Sequence, residues 1–185
     1  MGERERLREL IRLKAFERRE AVLSSGQKTG FYFDLKKVSL DPEGAYLVGK
    51  LLYEGIRSWS SSVGGVGGLT LGADPLATAV AVVSHLAGDP VPAFIVRKEA
   101  KGHGTGAWIE GETNLRREMG LVVLEDVITT GASSLKAIQK VQEAGFNVLG
   151  VLAVVDREEG AHENLARDGH ALRSLFSARE IIEAV

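Results

Sequence analysis

"LVVLEDVITTGASS", residues 121–134, sets an apolar run against two adjacent acids and then a string of small hydroxyl and glycine residues. The run Leu121–Leu124 reads as part of a buried strand over 120–126, which ends at Glu125 and Asp126. Thr129, Thr130, Gly131, Ser133 and Ser134 then lead into a helix expected over 132–145. Amides in the first turn of a helix lack intrahelical partners and sit at the positive end of its dipole, so this loop suits a phosphate. Glycine and alanine permit close backbone approach, and the hydroxyls add donors. Glu125 and Asp126 carry the wrong charge for phosphate. Sugar hydroxyls suit them better, as does a magnesium ion with its preference for oxygen ligands. The plain structural alternative is an N-capping cluster beside two solvated acids.

Outward from this stretch the texture repeats. Short apolar runs predict strands near 63–67, 92–97, 120–126, 147–155 and 170–175. Helical spacing predicts helices near 75–87, 132–145, 159–168 and 177–184. The alternation implies an α/β fold with a mostly parallel sheet flanked by helices. Right-handed crossovers place the strand C-terminal ends along one edge, where ligands of open sheets bind. Before residue 60 the pattern differs. Leu7, Leu10, Ile11 and Leu13 fall near helical spacing among alternating charges, and "AVLSSGQKTGFYFDLKKV" puts two β-prone runs around a Ser-Gly-Gln-Lys-Thr-Gly turn. Asp41 and Pro42 cap and open a helix that runs to about Trp59. The expected organisation is one domain over 1–185, whose residues 1–60 form a small N-terminal hood of helix, hairpin and helix.

Composition narrows the function classes. With 23 basic and 25 acidic residues the formal charge is −2, so no global field favours nucleic acid or an anionic membrane. The charged opening "MGERERLRELIRLKAF" is not a secretory signal, and no apolar run approaches bilayer-spanning length. Absence of cysteine excludes disulfides and thiolate metal sites and fits a reducing, cytoplasmic setting. His85, His162 and His170 lack metal-ligand spacing and read as structural or solvated.

Two more loops echo the first. "GGLTLGADPLATAVA", residues 67–81, brings Gly67, Gly68 and Gly72 to Ala73, Asp74 and Pro75, with Pro75 read as the first helical residue. This is a second candidate anion site at a helix start. "RKEAKGHGTGAWIEGETN", residues 97–114, carries Arg97, Lys98, Lys101 and His103 among glycines and has no periodicity, as a lid over an anionic ligand would. A solvated surface loop is the other reading. Two glycine-rich turns, a cationic lid and an acid pair together call for a ligand with phosphates at both ends and a sugar between. Phosphoribosyl pyrophosphate fits that description.

The motifs then become specific. "VVLEDVITTGAS" resembles the signature of type I phosphoribosyltransferases, and "RKEAKGHG" is similar to the flexible loop of the orotate phosphoribosyltransferase family. "SSGQKTGFYFD" resembles that family's substrate-contacting hairpin, and the match runs along essentially the whole chain in order. One departure stands out: where many such enzymes carry an aromatic residue and a lysine in the pyrophosphate loop, this chain has Ala73 and Asp74.

The resemblance implies transfer of the phosphoribosyl group from phosphoribosyl pyrophosphate to N1 of orotate, giving orotidine 5′-phosphate and pyrophosphate, with magnesium as cofactor. It implies that Lys101, with Arg97, Lys98 and His103, stabilises the leaving pyrophosphate, and that Asp126 with Glu125 holds the ribose hydroxyls, directly or through magnesium-bound water. Val127, Ile128, Thr129, Thr130, Gly131, Ala132 and Ser133 would bind the 5-phosphate, and Ala73 and Asp74 would lie at the pyrophosphate. Thr129 and Arg157 would meet orotate, and Lys28 is a further candidate there. Arg157 also suits the role physically, since a guanidinium binds a carboxylate bidentately. A simple ion pair with Asp156 or Glu158 is its ordinary alternative. The family further implies a homodimer whose lid serves the neighbouring site. Rival readings are another type I phosphoribosyltransferase acting on a purine or other pyrimidine, and a non-catalytic regulator that binds phosphoribosyl pyrophosphate.

Overall fold

The computed structural model describes residues 2–18, 21–22, 28–59, 63–100 and 107–183. Its N-terminal part begins with α1 (Glu3–Leu10), which continues as one π-helical segment, Ile11–Ala15. Two small antiparallel pairs follow: β1 (Phe16–Glu17) with β4 (Tyr32–Phe33), and β2 (Ala21–Val22) with β3 (Lys28–Thr29). The expected hairpin is therefore present, but its second β-prone run stops early. Residues past Phe33 turn into a short helix, α2 (Lys36–Ser39), ahead of α3 (Pro42–Trp59). Asp41 caps α3 as expected: its Oδ1 accepts the Gly44 amide at 3.1 Å.

The remaining elements alternate: β5 (Val63–Leu69), α4 (Ala73–Leu86), β6 (Ala93–Val96), β7 (Ile109–Glu110), β8 (Gly120–Ile128), α5 (Ala132–Glu143), β9 (Val148–Asp156), α6 (Ala161–Arg167), β10 (Ala171–Ser177) and α7 (Ala178–Ile182). Among the described residues, six strands form one sheet in the order β10-β9-β8-β5-β6-β7. Every pairing is parallel except β6 with β7, which falls inside the stretch read as an irregular loop. From β5 the chain steps outward to β6, then returns to β8 on the other side. The sheet thus reverses its winding between β5 and β8, and ligands of such sheets bind in the crevice at that switch.

Alternation along β8 distributes the core. Val122 and Leu124 join the cluster that packs α1, α3 and α4 on one face, while Leu121 and Val123 join α5 and α6 on the other. Both faces are covered, which is why β8 and β9 read as continuous apolar runs rather than as alternating ones. Glycines in β5 allow close packing: a Cβ on Gly68 would lie 2.4 Å from the Leu124 carbonyl oxygen. Phe16, Phe31 and Phe33 form a tilted aromatic cluster with centroids 5.4–6.4 Å apart and tie the N-terminal strands to this core.

Two boundaries differ from expectation. β8 runs on to Ile128, so the acids lie inside the strand rather than at its end; Val127 and Ile128 still pair with Val155 and Asp156 of β9. α4 opens at Ala73, which puts Pro75 at its third residue, where a missing amide hydrogen is equally harmless.

Candidate active site

Because consecutive side chains on a strand point to opposite faces, the acid pair is split. Glu125 turns toward α5, where its Oε2 accepts the Ser134 hydroxyl at 2.9 Å. Burial pushes its carboxyl up to about 8, helped by the neighbouring Asp126 charge and opposed by the Ser134 bond. Asp126 turns the other way, toward α2 and the β5–α4 loop. Its Oδ1 accepts the Val127 amide at 2.8 Å, and its Oδ2 lies 3.9 Å from Lys36 Nζ. Burial raises its pKa, and the Val127 amide and the Lys36 ammonium only partly offset that rise. A Cβ on Gly72 would come within 2.8 Å of Asp126 Oδ1, so a side chain there would push this acid from its place against the β5–α4 loop.

Beyond β8 the chain passes through Thr129 and Thr130 to Gly131, whose φ of +83° demands glycine at the helix start. Among the described residues no side chain caps α5, which leaves its first-turn amides for an anion. The Thr130 carbonyl accepts Asn164 Nδ2 at 2.9 Å, which pins the loop from α6. Ser133 and Ala132 are exposed at this start, whereas Ser134 is fully buried. Across the switch point, Ala73 is buried at the start of α4, and Asp74 Oδ2 accepts the Thr70 hydroxyl at 2.6 Å.

Arg157 follows β9 and is 5% exposed. Its ion-pair partner is neither Asp156 nor Glu158 but Glu159, whose Oε1 accepts Nε at 3.0 Å and Nη2 at 2.9 Å. The guanidinium stacks on Phe31 with Cζ 4.5 Å from the ring centroid, so the N-terminal strands and the β9 loop meet here. Asp156 instead pairs with His162 at 3.2 Å. Arg97 pairs with Glu110 of β7 at 2.9 Å, while Lys98 is exposed. Lys28 lies on β3; Lys101 and His103 lie outside the described residues.

Two side chains at this edge depart from the sequence reading: Ser134, counted there among the hydroxyls of the phosphate loop, is buried against Glu125, and Lys36 was not foreseen. Ser134 was legible, because it falls on the buried face of α5 with Ala137, Ile138 and Val141 at helical spacing. Lys36 carried no local signal, since only the tertiary fold brings α2 to β8.

A parallel sheet with this strand order, an acid facing a glycine-rich loop across the switch point and an uncapped helix start beside it define a protein of the phosphoribosyltransferase fold. Adenine phosphoribosyltransferase from Leishmania donovani has the same fold at 15% identity, with a TM-score of 0.66 over 98% of this chain and 81% of that one. No family model matches the chain. Orotate phosphoribosyltransferase of Aquifex aeolicus is 48% identical over 185 residues, 98% of this chain and 99% of that protein, and the Bradyrhizobium sp. enzyme is 47% identical over 181 residues, 97% of each. The Mycobacterium tuberculosis H37Rv orotate phosphoribosyltransferase, solved in complex with phosphoribosyl diphosphate, is 38% identical with a TM-score of 0.78 over 97% of this chain and 99% of that one. The chain belongs to the orotate phosphoribosyltransferase family.

Proposed function

We infer that the chain transfers the phosphoribosyl group of 5-phosphoribosyl 1-pyrophosphate to N1 of orotate, a step of pyrimidine nucleotide synthesis in the cytoplasm. Family membership carries this reading, and the placement of Asp126, the α5 start and Arg157 on one sheet edge supports it. The C1–O bond to pyrophosphate breaks, positive charge develops on the ribose ring, and the C1–N1 bond forms as N1 gives up its proton, balancing the proton that the departing pyrophosphate takes up.

The first-turn amides and hydroxyls of residues 129–133, following Val127 and Ile128, grip the 5-phosphate and fix the ribose above β8. Asp126 holds ribose hydroxyls, and its negative field favours the cationic ring. Glu125 stands behind it, tethered by Ser134. Arg157, held by Glu159 and Phe31, binds the orotate carboxylate, with Thr129 and Lys28 at the same ring. Ala73 and Asp74 border the pyrophosphate through the backbone of their loop. Arg97, Lys98, Lys101 and His103 close over the leaving group; Lys101 neutralises it and His103 gives it a proton.

The donor set fits magnesium delivered with substrate rather than held in a cage. Asp126 offers oxygen, and among the described residues no cluster of three or more His, Asp or Glu could hold a metal by itself. Glu125 and Asp126 are the protein groups that would reach such an ion or its waters. Bound there, magnesium would neutralise charge on the pyrophosphate.

A homodimer completes the site, each lid serving the neighbour. Leu40, Tyr46, Leu71, Val82 and Leu86 are exposed by 52–78%, an apolar surface formed by α3, α4 and the loops beside them that adjoins the site and suits a second copy.

The test is loss of orotate absorbance with phosphoribosyl pyrophosphate and magnesium, beside adenine, xanthine and uracil. Turnover of orotate alone, abolished by Lys101→Ala, is expected. Turnover of another base in its place would overturn the role given to Arg157.

A further inference from the structure

The loop that borders the leaving pyrophosphate, Thr70-Leu71-Gly72-Ala73-Asp74, contains no cation. Its one acid is turned inward: Asp74 Oδ2 accepts the Thr70 hydroxyl at 2.6 Å, and Oδ1 is buried without a hydrogen-bond partner among the described residues. A leaving group that gains negative charge needs positive charge aimed at it. The groove of about 820 Å³ that runs from this loop along α3 and α4 has Lys36, Leu71 and Asp74 among its lining residues.

Lys36 Nζ lies 3.3 Å from Asp34 Oδ1 and 3.9 Å from Asp126 Oδ2. Asp126 in turn touches the loop, since a Cβ on Gly72 would sit 2.8 Å from its Oδ1. The ammonium, the acid and the glycine-rich loop are therefore consecutive neighbours, although they come from three separate elements. At 3.9 Å the contact to Asp126 is an ion pair without a hydrogen bond, so little is broken when the ammonium turns to another oxygen. The Lys36 side chain is 46% exposed, and its flexible stem lets the charged head move while the backbone stays in place.

We propose that Lys36 supplies the positive charge that the glycine-rich loop lacks, contacting the pyrophosphate group of the substrate from α2. The proposal rests on the reading of this edge as a phosphoribosyl pyrophosphate site. Burial alone would lower the Lys36 pKa, but the Asp126 and Asp34 carboxylates outweigh it and hold the ammonium above its ordinary value. Lys36 is thus a charged ammonium held between two carboxylates.

Pyrophosphate and ribose 5-phosphate, each with magnesium, separate this role from a merely structural one. Their binding to the parent, Lys36→Met and Lys36→Arg proteins is measured by titration calorimetry, beside KM for both substrates and the melting midpoint. Lys36→Met is expected to weaken pyrophosphate and to raise KM for phosphoribosyl pyrophosphate by about tenfold or more, the scale of one charge-assisted hydrogen bond. Ribose 5-phosphate binding, KM for orotate and the melting midpoint stay near parental values, and Lys36→Arg retains most of the pyrophosphate affinity. Equal pyrophosphate affinity in parent and Lys36→Met overturns the proposal. So does a parallel loss of ribose 5-phosphate, which would make Lys36 only a support for Asp126. Should Lys36→Met fail to fold, Lys36→Gln keeps the same comparison open. A parent protein that binds pyrophosphate through Lys36 yet leaves orotate untouched would refute the orotate reading and keep this one.

Discussion

Glu125 and Asp126 are adjacent in sequence and almost identical in chemistry, yet the strand sends them to different neighbours. Glu125 meets a buried serine hydroxyl, whereas Asp126 meets an ammonium and a glycine-rich loop. The consequence for Glu125 is a carboxyl pushed up to about 8, against 4.5 for the ordinary group. Between those values the folded state holds a proton that the unfolded state has lost, so stability contributed at this site falls as pH rises and levels off above the upper value. Glu125→Gln removes the titration. The melting midpoints of parent and variant are expected to draw apart in favour of the variant as pH climbs from 4.5 through about 8. Parallel midpoint curves over that range would show that Glu125 titrates normally.

At the scale of elements, the site depends on how closely β5 approaches β8. Gly68 has no room for a side chain between the Leu124 carbonyl and the Ala73 Cβ, neither of which a rotamer change can move. Gly68→Ala is expected to cost roughly 1–3 kcal/mol by overpacking, read by urea denaturation. Because the same strand leads into the Gly72 loop, KM for phosphoribosyl pyrophosphate should rise as well. An unchanged denaturation midpoint would mean that β5 can slide away from β8 without loss. Strand and helix centres were readable here because apolar runs and helical spacing are local signals. The end of β8 and the end of the hairpin departed from expectation for non-local reasons. β8 continues past its acids because β9 offers pairing partners as far as Asp156, and the second β-prone run past Phe33 yields to α2.

For the whole molecule, the question is where one active site ends. The apolar surface on α3 and α4 and the lid residues Arg97, Lys101 and His103 together predict sites shared between two copies. Lys101→Ala and Asp126→Ala proteins, each inactive alone, should regain part of the activity when refolded together, since one mixed site receives both intact residues. Activity that stays absent in a mixture shown by size and mass to contain mixed dimers would confine each lid to its own subunit.

Sequence alone determined the α/β class, the order of the main strands and helices after residue 60, apart from β7, and the small-residue or cationic character of the loops between them. Those features follow from residue periodicity, from the needs of helix starts and from the glycines that tight approach requires. Arg157 is picked out only by the family resemblance, since an arginine between two acids reads by itself as an ordinary ion pair. Tertiary structure decided which groups face one another. The strand pleat parted Glu125 from Asp126, the crossover at β5 and β8 placed Gly72 against Asp126, and α2 carried Lys36 to an acid ninety residues away. It also set Glu159 and Phe31, rather than the adjacent Asp156 or Glu158, against the Arg157 guanidinium, since a buried side chain meets the groups that the fold packs around it. Such pairings depend on chain path, which no window of neighbouring residues contains.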